Sequence, residues 1–123
     1  MEAKSGCACG GSTMLLACSG AADVGEIADH AARSLAKQGA GKMFCLIGIA
    51  AGISDMVEKG KGAAKLLVID GCPKACGKVG VEKAGITKYQ YVRLDTLGME
   101  KGQTPATDAN VQKVVAHAVA ALA

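Results

Sequence analysis

Aromatic residues are almost absent from this sequence. Its 123 residues include no tryptophan, two tyrosines and one phenylalanine, and the formal net charge is only +3. The lysines and the two arginines alternate with acidic residues and form no basic stripe. Because single-stranded nucleic acids are bound by aromatic stacking and by clustered cations, this composition argues against a nucleic-acid-binding protein.

Long apolar runs are also missing. No stretch approaches the ~18 consecutive apolar residues of a membrane helix, so we expect no membrane partner. The one early apolar run, residues 14–18, is shorter than the ~7–15 residues of a signal-peptide core, so we expect a cytoplasmic protein. In that reducing compartment, the six cysteines favour metal or thiol chemistry over structural disulfides.

What the chain does contain is an alternation of strand and helix patterns. Strands are predicted at about residues 13–17, 42–46, 65–70 and 89–94. Helices are predicted from a start within residues 19–23 to about residue 37, over about 53–59, from Pro73 to about residue 85, and over about 108–122. Residues 48–53 fit a strand or a buried helix equally well, and Asp23 with Glu26 resembles a capping box. The order predicts an α/β fold with three layers, in which a parallel sheet of about four strands has helices on both faces in a Rossmann-like, doubly wound arrangement.

The chain length suits a single domain. Residues 1–12 are rich in Gly, Ser and Cys and have no hydrophobic period, so we interpret them as a flexible arm that carries Cys7 and Cys9. Residues 13–123 then form one α/β metal-binding domain. The Cys-x-Cys spacing of the arm can hold a soft metal, or it can leave two exposed thiols with no fixed partner.

Four cysteines fall where the predicted strands end: Cys18, Cys45, Cys72 and Cys76. The carboxyl ends of parallel strands share one edge of the sheet, which is where ligands bind. We therefore expect distant thiols to meet there and to bind a soft metal ion or carry out sulfur chemistry. A buried cysteine can also pack as a small hydrophobic residue, and for Cys45 both interpretations stay open.

Cys72 and Cys76 form the most informative pair. Pro73 is favoured at the first position of a helix, which would place Cys72 at the N-cap and Cys76 one turn inside. Residues at this spacing have Cβ atoms ~5–6 Å apart, within reach of one zinc ion. The positive end of the helix dipole would also favour the thiolate.

Few other side chains offer chemistry near these cysteines. His30 and His117 lie on predicted helices beside the apolar face, so no Cys–His pair is expected. Asp70 either orients the site as a hydrogen-bond acceptor or closes a local Asx turn. Ser19 can donate a hydrogen bond to a thiolate or cap the helix that follows it, and capping is the role we expect.

The motif Asp70-Gly71-Cys72-Pro73 with Cys76 resembles the DGC domain family, which also has an early Cys-Ser-Gly, here from Cys18, and a middle cysteine, here Cys45. The resemblance covers roughly residues 14–91. It implies a zinc-binding protein whose ligands are Cys18, Cys45, Cys72 and Cys76, and it supplies no reaction. Cys7 and Cys9 are not part of the motif.

These observations leave two main hypotheses and one variant. The first is zinc binding, with an iron–sulfur cluster or another soft metal still open. The second is a thiol redox or sulfur-transfer enzyme in which Cys72 is the nucleophile and Cys76 the resolving thiol. The variant is an interaction module whose metal only fixes its shape. Whether the protein is an enzyme stays open, and a second copy of the chain or a redox or sulfur partner protein is a candidate partner.

Overall fold

A computed structural model describes residues 12–123. The predicted arm, with Cys7 and Cys9, therefore lies outside the described residues except for Ser12. Within residues 12–123 the elements are β1 (Thr13–Ala17), α1 (Asp23–Lys37), β2 (Lys42–Met43), α2 (Leu46–Ala50), α3 (Ser54–Lys61), β3 (Lys65–Asp70), α4 (Cys76–Lys83), β4 (Gln90–Arg93), a 3₁₀ turn (Leu94–Leu97) and α5 (Asp108–Leu122). None of these helices is both long enough and apolar enough to cross a membrane.

The four strands form one sheet in which every neighbouring pair is parallel. Their order is β2-β1-β3-β4, and β1 is aligned with β3 so that Leu15 lies opposite Leu67. The chain direction across the sheet reverses between β1 and β3. In doubly wound sheets the crevice at this reversal, outside the carboxyl ends of the strands, is the usual ligand site. The predicted α/β fold is confirmed.

Helices cover both faces of the sheet, and side chains alternate between them. Leu67 and Ile69 of β3 pack into a cluster with α1 and α5, and we call this side the long-helix face. Leu66 and Val68 pack on the opposite side with Ile49 of α2 and Val81 of α4, and we call this the short-helix face. The continuous apolar run of β3 is thus explained, because both of its faces are buried.

The segment after β2 differs from the sequence prediction. The strand ends at Met43, and the ambiguous glycine-containing stretch forms the short helix α2. Cys45 is the N-cap of that helix, since its Sγ accepts a hydrogen bond from the Gly48 N–H at 3.4 Å. A Cβ at Gly48 would overlap the Met56 sulfur, so the glycine lets α2 pack closely against α3.

The predicted capping box at Asp23 and Glu26 is wrong. Ala22 is the N-cap of α1 and makes no side-chain capping bond. The Asp23 carboxylate instead accepts the backbone N–H groups of Gly102 and Thr104, at 2.9 and 3.1 Å, besides that of Val24. These hydrogen bonds, led by the one from Gly102, hold the pKa of Asp23 below its usual value. Asp23 therefore ties the loop before α5 to the start of α1.

Candidate thiol site

Three of the four predicted cysteines line one pocket of about 460 Å³ at the carboxyl edge of the sheet. Cys18 directly follows β1, Cys45 precedes α2, and Cys76 is the first residue of α4. We call this cavity the thiol pocket. Its other lining residues are Ala17, Ser19, Asp29, Arg33, Met43, Phe44, Leu46, Ile47 and Ala50. The lining is mostly apolar and includes three cysteines that are 27 or more residues apart in the chain.

Cys72 does not line the thiol pocket. It is half-buried and packs against the cluster on the long-helix face. The chain just before it lies tight against α1, because a Cβ at Gly71 would come within 2.8 Å of the Val24 backbone. By the alternation of β3, Gly71 faces α1, and the turn that follows the strand then brings Cys72 to the cluster on that same face.

The prediction that Pro73 opens the next helix is wrong. The Ala75 N–H donates to the Cys72 carbonyl at 3.1 Å, which makes residues 72–75 a turn with Pro73 at its second position. Proline is favoured at that position because its fixed φ matches a turn. Ala75 then adopts a left-handed conformation (φ 53°), and α4 begins at Cys76. Cys72 and Cys76 are therefore not one turn apart on a helix.

Asp70 fixes where α4 begins. Its side chain is buried (1 % exposed), and its carboxylate accepts the N–H groups of Gly77 at 2.8 Å and Lys78 at 3.0 Å and the hydroxyl of Tyr91 at 2.7 Å. It thereby satisfies two free amides at the helix N-terminus, which is the task of an N-cap side chain. The Asx-turn alternative is wrong, because the partners lie seven or more residues away.

The contact between Asp70 and the start of α4 also explains why Gly77 lies inside this short helix. A Cβ at Gly77 would lie 2.7 Å from Asp70 Oδ1, so only glycine admits the carboxylate at this distance. The negative charge of Asp70 also occupies the positive end of the α4 dipole. The helix N-terminus thus orients Cys76 through Asp70 but does not offer its free amides to a thiolate.

The thiols differ in environment. Burial raises the pKa of the Cys18 thiol, the nearby Asp70 and Cys76 raise it further, and backbone hydrogen bonds from Gly20 and Gly71 offset only part of this. Cys18 is therefore a protonated thiol at neutral pH. Cys45 and Cys76 are exposed, so reagents and metal ions can reach them from solvent.

A polar wall of the thiol pocket was not anticipated from the sequence. Ser19 Oγ donates to Asp29 Oδ1 at 2.7 Å, and Arg33 Nε donates to Asp29 Oδ2 at 2.8 Å. Burial raises the pKa of Asp29, but these hydrogen bonds outweigh it and leave the value below normal. The i, i+4 spacing of Asp29 and Arg33 on α1 is the sequence feature that could have predicted this ion pair. Ser19 does not cap α1, contrary to expectation.

The donor chemistry of the thiol pocket fits a soft metal ion, because thiolate sulfur prefers such ions. The side chains are not already arranged for one: among residues 12–123, no group of three or more His, Cys, Asp or Glu side chains could hold a metal ion as placed. Binding would require the thiols to turn toward one another. The ligand roles of Cys18, Cys45, Cys72 and Cys76 stay predictions.

Comparison with known proteins identifies the family to which this chain belongs. The DGC domain family profile matches residues 14–118, so the chain belongs to the DGC domain family. A curated relative, the Anaerobic and virulence modulator AnvM of Pseudomonas aeruginosa, is 25% identical over 88 residues, which is 72% of this chain and 67% of the relative. No solved structure matches the chain.

Proposed function

We propose that the protein binds a soft metal ion in the thiol pocket, with zinc as the first candidate. One observation carries the proposal: Cys18, Cys45 and Cys76 come from three separate segments and line one cavity at the carboxyl edge of the sheet. The crevice between β1 and β3 is where doubly wound sheets bind ligands. The thiol pocket opens at the same edge of the sheet, beside the ends of β1 and β2 and the start of α4, and three cysteines that line it are better explained by a shared ligand than by separate packing roles.

The proposed ion has three protein ligands and one open position. Zinc bound by three side chains keeps its fourth position for water or a substrate, whereas a site closed by four thiolates is usually structural. Iron–sulfur clusters generally need four protein ligands, so the three thiols of the pocket favour a single ion over a cluster. Cys72, implied as a fourth ligand by the family motif, would have to turn away from the long-helix face to join.

The test is metal content, measured on variants made in a Cys7→Ser/Cys9→Ser background so that the arm contributes no thiols. The protein is purified without chelator and zinc is counted by mass spectrometry. We expect about one zinc per chain in the background and in Cys72→Ser. Each pocket variant, Cys18→Ser, Cys45→Ser or Cys76→Ser, should weaken zinc binding at least about tenfold, or ~1.4 kcal/mol. Circular dichroism checks that each variant is folded.

A zinc-free background protein would contradict the proposal. Loss of zinc in Cys72→Ser with retention in Cys45→Ser would move the site away from the thiol pocket. Because zinc displaces thiol protons, uptake should also release protons, which a pH indicator in weak buffer records.

A second candidate is thiol exchange, and the position of Cys18 favours it. Cys76 lies close enough to Cys18 for its charge to influence that thiol. In this version Cys76, which is exposed, replaces Cys72 as the attacking thiol, and Cys18 resolves the mixed disulfide. The reaction is R–S–S–R + 2 Cys–SH → Cys–S–S–Cys + 2 R–SH, with a small disulfide as oxidant.

Peptide mapping after treatment with oxidised glutathione tests this candidate and should find a Cys18–Cys76 disulfide. A Cys72–Cys76 disulfide would instead support the hypothesis that Cys72 is the nucleophile and Cys76 the resolving thiol.

A regulatory use of the same site is compatible with either chemistry. The Pseudomonas relative is named as a modulator, and two apolar side chains of the short helices are exposed: Ile47 of α2, which lines the thiol pocket, at 73 % and Val79 of α4 at 49 %. In this version the bound metal stabilises α2 and α4, and a partner protein contacts them. Removal of zinc should then increase hydrogen exchange in these two helices and leave α5 unchanged.

A further inference from the structure

The strand β4 is an open edge of the sheet. It is last in the order β2-β1-β3-β4 and, among residues 12–123, it pairs only with β3. The main-chain N–H and C=O groups on its outer side therefore have no strand partner, and such an edge can accept a further strand. The opposite edge, β2, has two residues (Lys42–Met43) and offers a much shorter ladder than the four residues of β4 (Gln90–Arg93).

A cavity of about 600 Å³ runs along the edge at β4. Its lining includes three successive residues of the strand, namely Tyr91, Val92 and Arg93. Tyr91 packs against the cluster on the short-helix face, whereas Val92 belongs to the cluster on the long-helix face. Side chains from both sides of the strand, together with Lys78 of α4 and His117 of α5, thus border one cavity, which we call the edge groove.

The short-helix side of the edge groove is basic. The Lys78 Nζ lies 5.5 Å from the centre of the Tyr91 ring, and no carboxylate of residues 12–123 lies within ion-pair distance of it. Arg93 donates to Asp95 through Nε at 2.6 Å and Nη2 at 3.2 Å, so its charge is largely balanced. Among the described residues, no acidic side chain lines the groove. A negatively charged ligand group therefore gains most beside Lys78.

The long-helix side of the edge groove is mainly apolar apart from His117, because Leu97, Ala120 and Ala121 line it. A single small anion would leave this apolar side without a partner. An extended chain fits both sides, because successive side chains of a strand point to opposite faces of the sheet. Two β4 strands from two copies of this protein fit less well, since Lys78 of each copy would approach the basic side of the other.

We propose that the edge groove binds an extended peptide segment of a partner protein, which adds to the sheet as a fifth strand beside β4. The side chains of this segment alternate, so that acidic ones face Lys78 and apolar ones face Leu97 and α5. Main-chain hydrogen bonds to β4 supply affinity, and the alternation supplies specificity. No zinc takes part, so this interaction goes beyond the proposed function and does not depend on it.

Peptide binding to the full chain tests this proposal. The probe is a dye-labelled, end-blocked peptide of six residues in which valine and glutamate alternate, and fluorescence anisotropy at low salt measures its affinity. We expect saturable binding that Lys78→Glu weakens by about tenfold or more and Lys78→Gln by a smaller factor. Asp70 contacts the backbone N–H of Lys78, so both variants keep the cap of α4.

Lys42→Glu is the matched control, because it makes the same charge reversal at an exposed position of β2, on the opposite edge of the sheet. It should bind the peptide as tightly as the unmodified protein. Circular dichroism checks that each variant is folded. Equal weakening by Lys42→Glu and Lys78→Glu would overturn the proposal, because the peptide would then respond only to net charge.

Two peptides methylated on alternate backbone nitrogens test the strand pairing itself. Methyl groups on the valine nitrogens block one edge of the extended peptide, and methyl groups on the glutamate nitrogens block the other. We expect one of the two peptides to lose binding and the other to retain it. Equal affinities of these two peptides would overturn the proposal, as would undiminished binding of a peptide in which three valines precede three glutamates.

Other occupants of the edge groove give different results. A dimer in sedimentation that the peptide dissociates would make a second copy of the chain the occupant. Inorganic phosphate that displaces the probe as effectively as unlabelled peptide would make the groove a small-anion site. Either result overturns the proposal, and so does the absence of any peptide binding, which would leave Lys78 as a charge that keeps other strands away from the edge. None of these results changes the expectation for zinc.

Discussion

The two faces of the sheet are built very differently. On the long-helix face, α1 and α5 have fifteen residues each, and seventeen buried residues form the cluster between them and the sheet. On the short-helix face, α2, α3 and α4 have five to eight residues, and the buried cluster contains six. Two of the three pocket cysteines, Cys45 and Cys76, lie at the starts of helices on this second face.

Because the two faces differ in this way, the stability of the fold depends mainly on the long-helix face, whereas two of the three pocket cysteines lie on the short-helix face. Hydrophobic stabilisation scales with buried apolar area, so most of it comes from the long-helix face. Short helices are marginal alone and depend on packing and capping. The short-helix face can therefore move its cysteines around a ligand at little cost to the fold. Cys72, on the other side, is held by the more stable cluster.

The largest expected effect comes from removing one fully buried isoleucine on each face. Ile27→Ala on α1 should lower the free energy of unfolding by ~4–5 kcal/mol, because the surrounding long helices cannot collapse into the cavity. Ile49→Ala on α2 should cost ~2 kcal/mol, because the smaller cluster can relax. Urea denaturation measures both, and a larger cost for Ile49→Ala would contradict the comparison.

The next largest effect is expected at Asp70, whose hydrogen bonds join β3 to α4. Asp70→Asn keeps the shape of the side chain but places its NH₂ group against a backbone N–H, and two donors cannot form a hydrogen bond. We therefore expect the free energy of unfolding to fall by ~1–3 kcal/mol. Zinc affinity should fall as well, because the start of α4 positions Cys76. Asp95→Asn, which disturbs only the Arg93 pair, is the control. If the two variants lower zinc affinity equally, Asp70 does not position Cys76 for zinc binding.

A smaller effect is expected at the tyrosines beside Asp70. Burial and the Asp70 carboxylate raise the pKa of Tyr91, and burial and Glu82 raise the pKa of Tyr89 to about 12. A raised folded-state pKa contributes stability that is complete below about pH 10, the unfolded value, and is lost as pH rises through the folded value. Alkaline titration at the tyrosinate absorbance should find no tyrosine ionising near pH 10.

Tyr91→Phe tests the hydrogen bond itself. Asp70 keeps two backbone donors, so the variant should lose only ~0.5–1.5 kcal/mol at neutral pH. Its alkaline titration should retain the transition of Tyr89 alone. A transition near pH 10 that is present in the unmodified protein and missing from Tyr91→Phe would show that the Tyr91–Asp70 contact is absent in solution.

The smallest effect is expected on the exposed surface of the short-helix face. Val79→Thr on α4 should change stability by less than ~0.5 kcal/mol, since Val79 is half exposed and belongs to neither cluster. Zinc binding should not change. A clear loss of stability would mean that this surface is covered in the protein under the conditions of the experiment.

The sequence was sufficient for the sheet and for the long-helix face. The buried run of β3 and the apolar spacing of α1 and α5 directly express how these elements pack, so their positions were predicted closely. The start of α4 was not predictable in this way. It depends on Asp70, a strand-end side chain that replaces a local cap, and on Ala75 in a conformation that alanine rarely adopts.

The same distinction applies to the site. That cysteines following parallel strands would approach one another could be inferred from topology, and three of them do line one cavity. The place of Cys72 could not, because it depends on the face to which the chain turns after β3. The Ser19–Asp29–Arg33 wall combines a loop with a helix face, and no local pattern links them.

Zinc protection of individual cysteines tests the central claim most directly. The unmodified protein is alkylated with iodoacetamide with and without bound zinc, and peptide mass spectrometry follows each cysteine separately. The account predicts that zinc slows alkylation of Cys18, Cys45 and Cys76 together and leaves the rate at Cys72 unchanged. Protection of Cys72 to the same degree, or no protection of the three pocket cysteines, would contradict it.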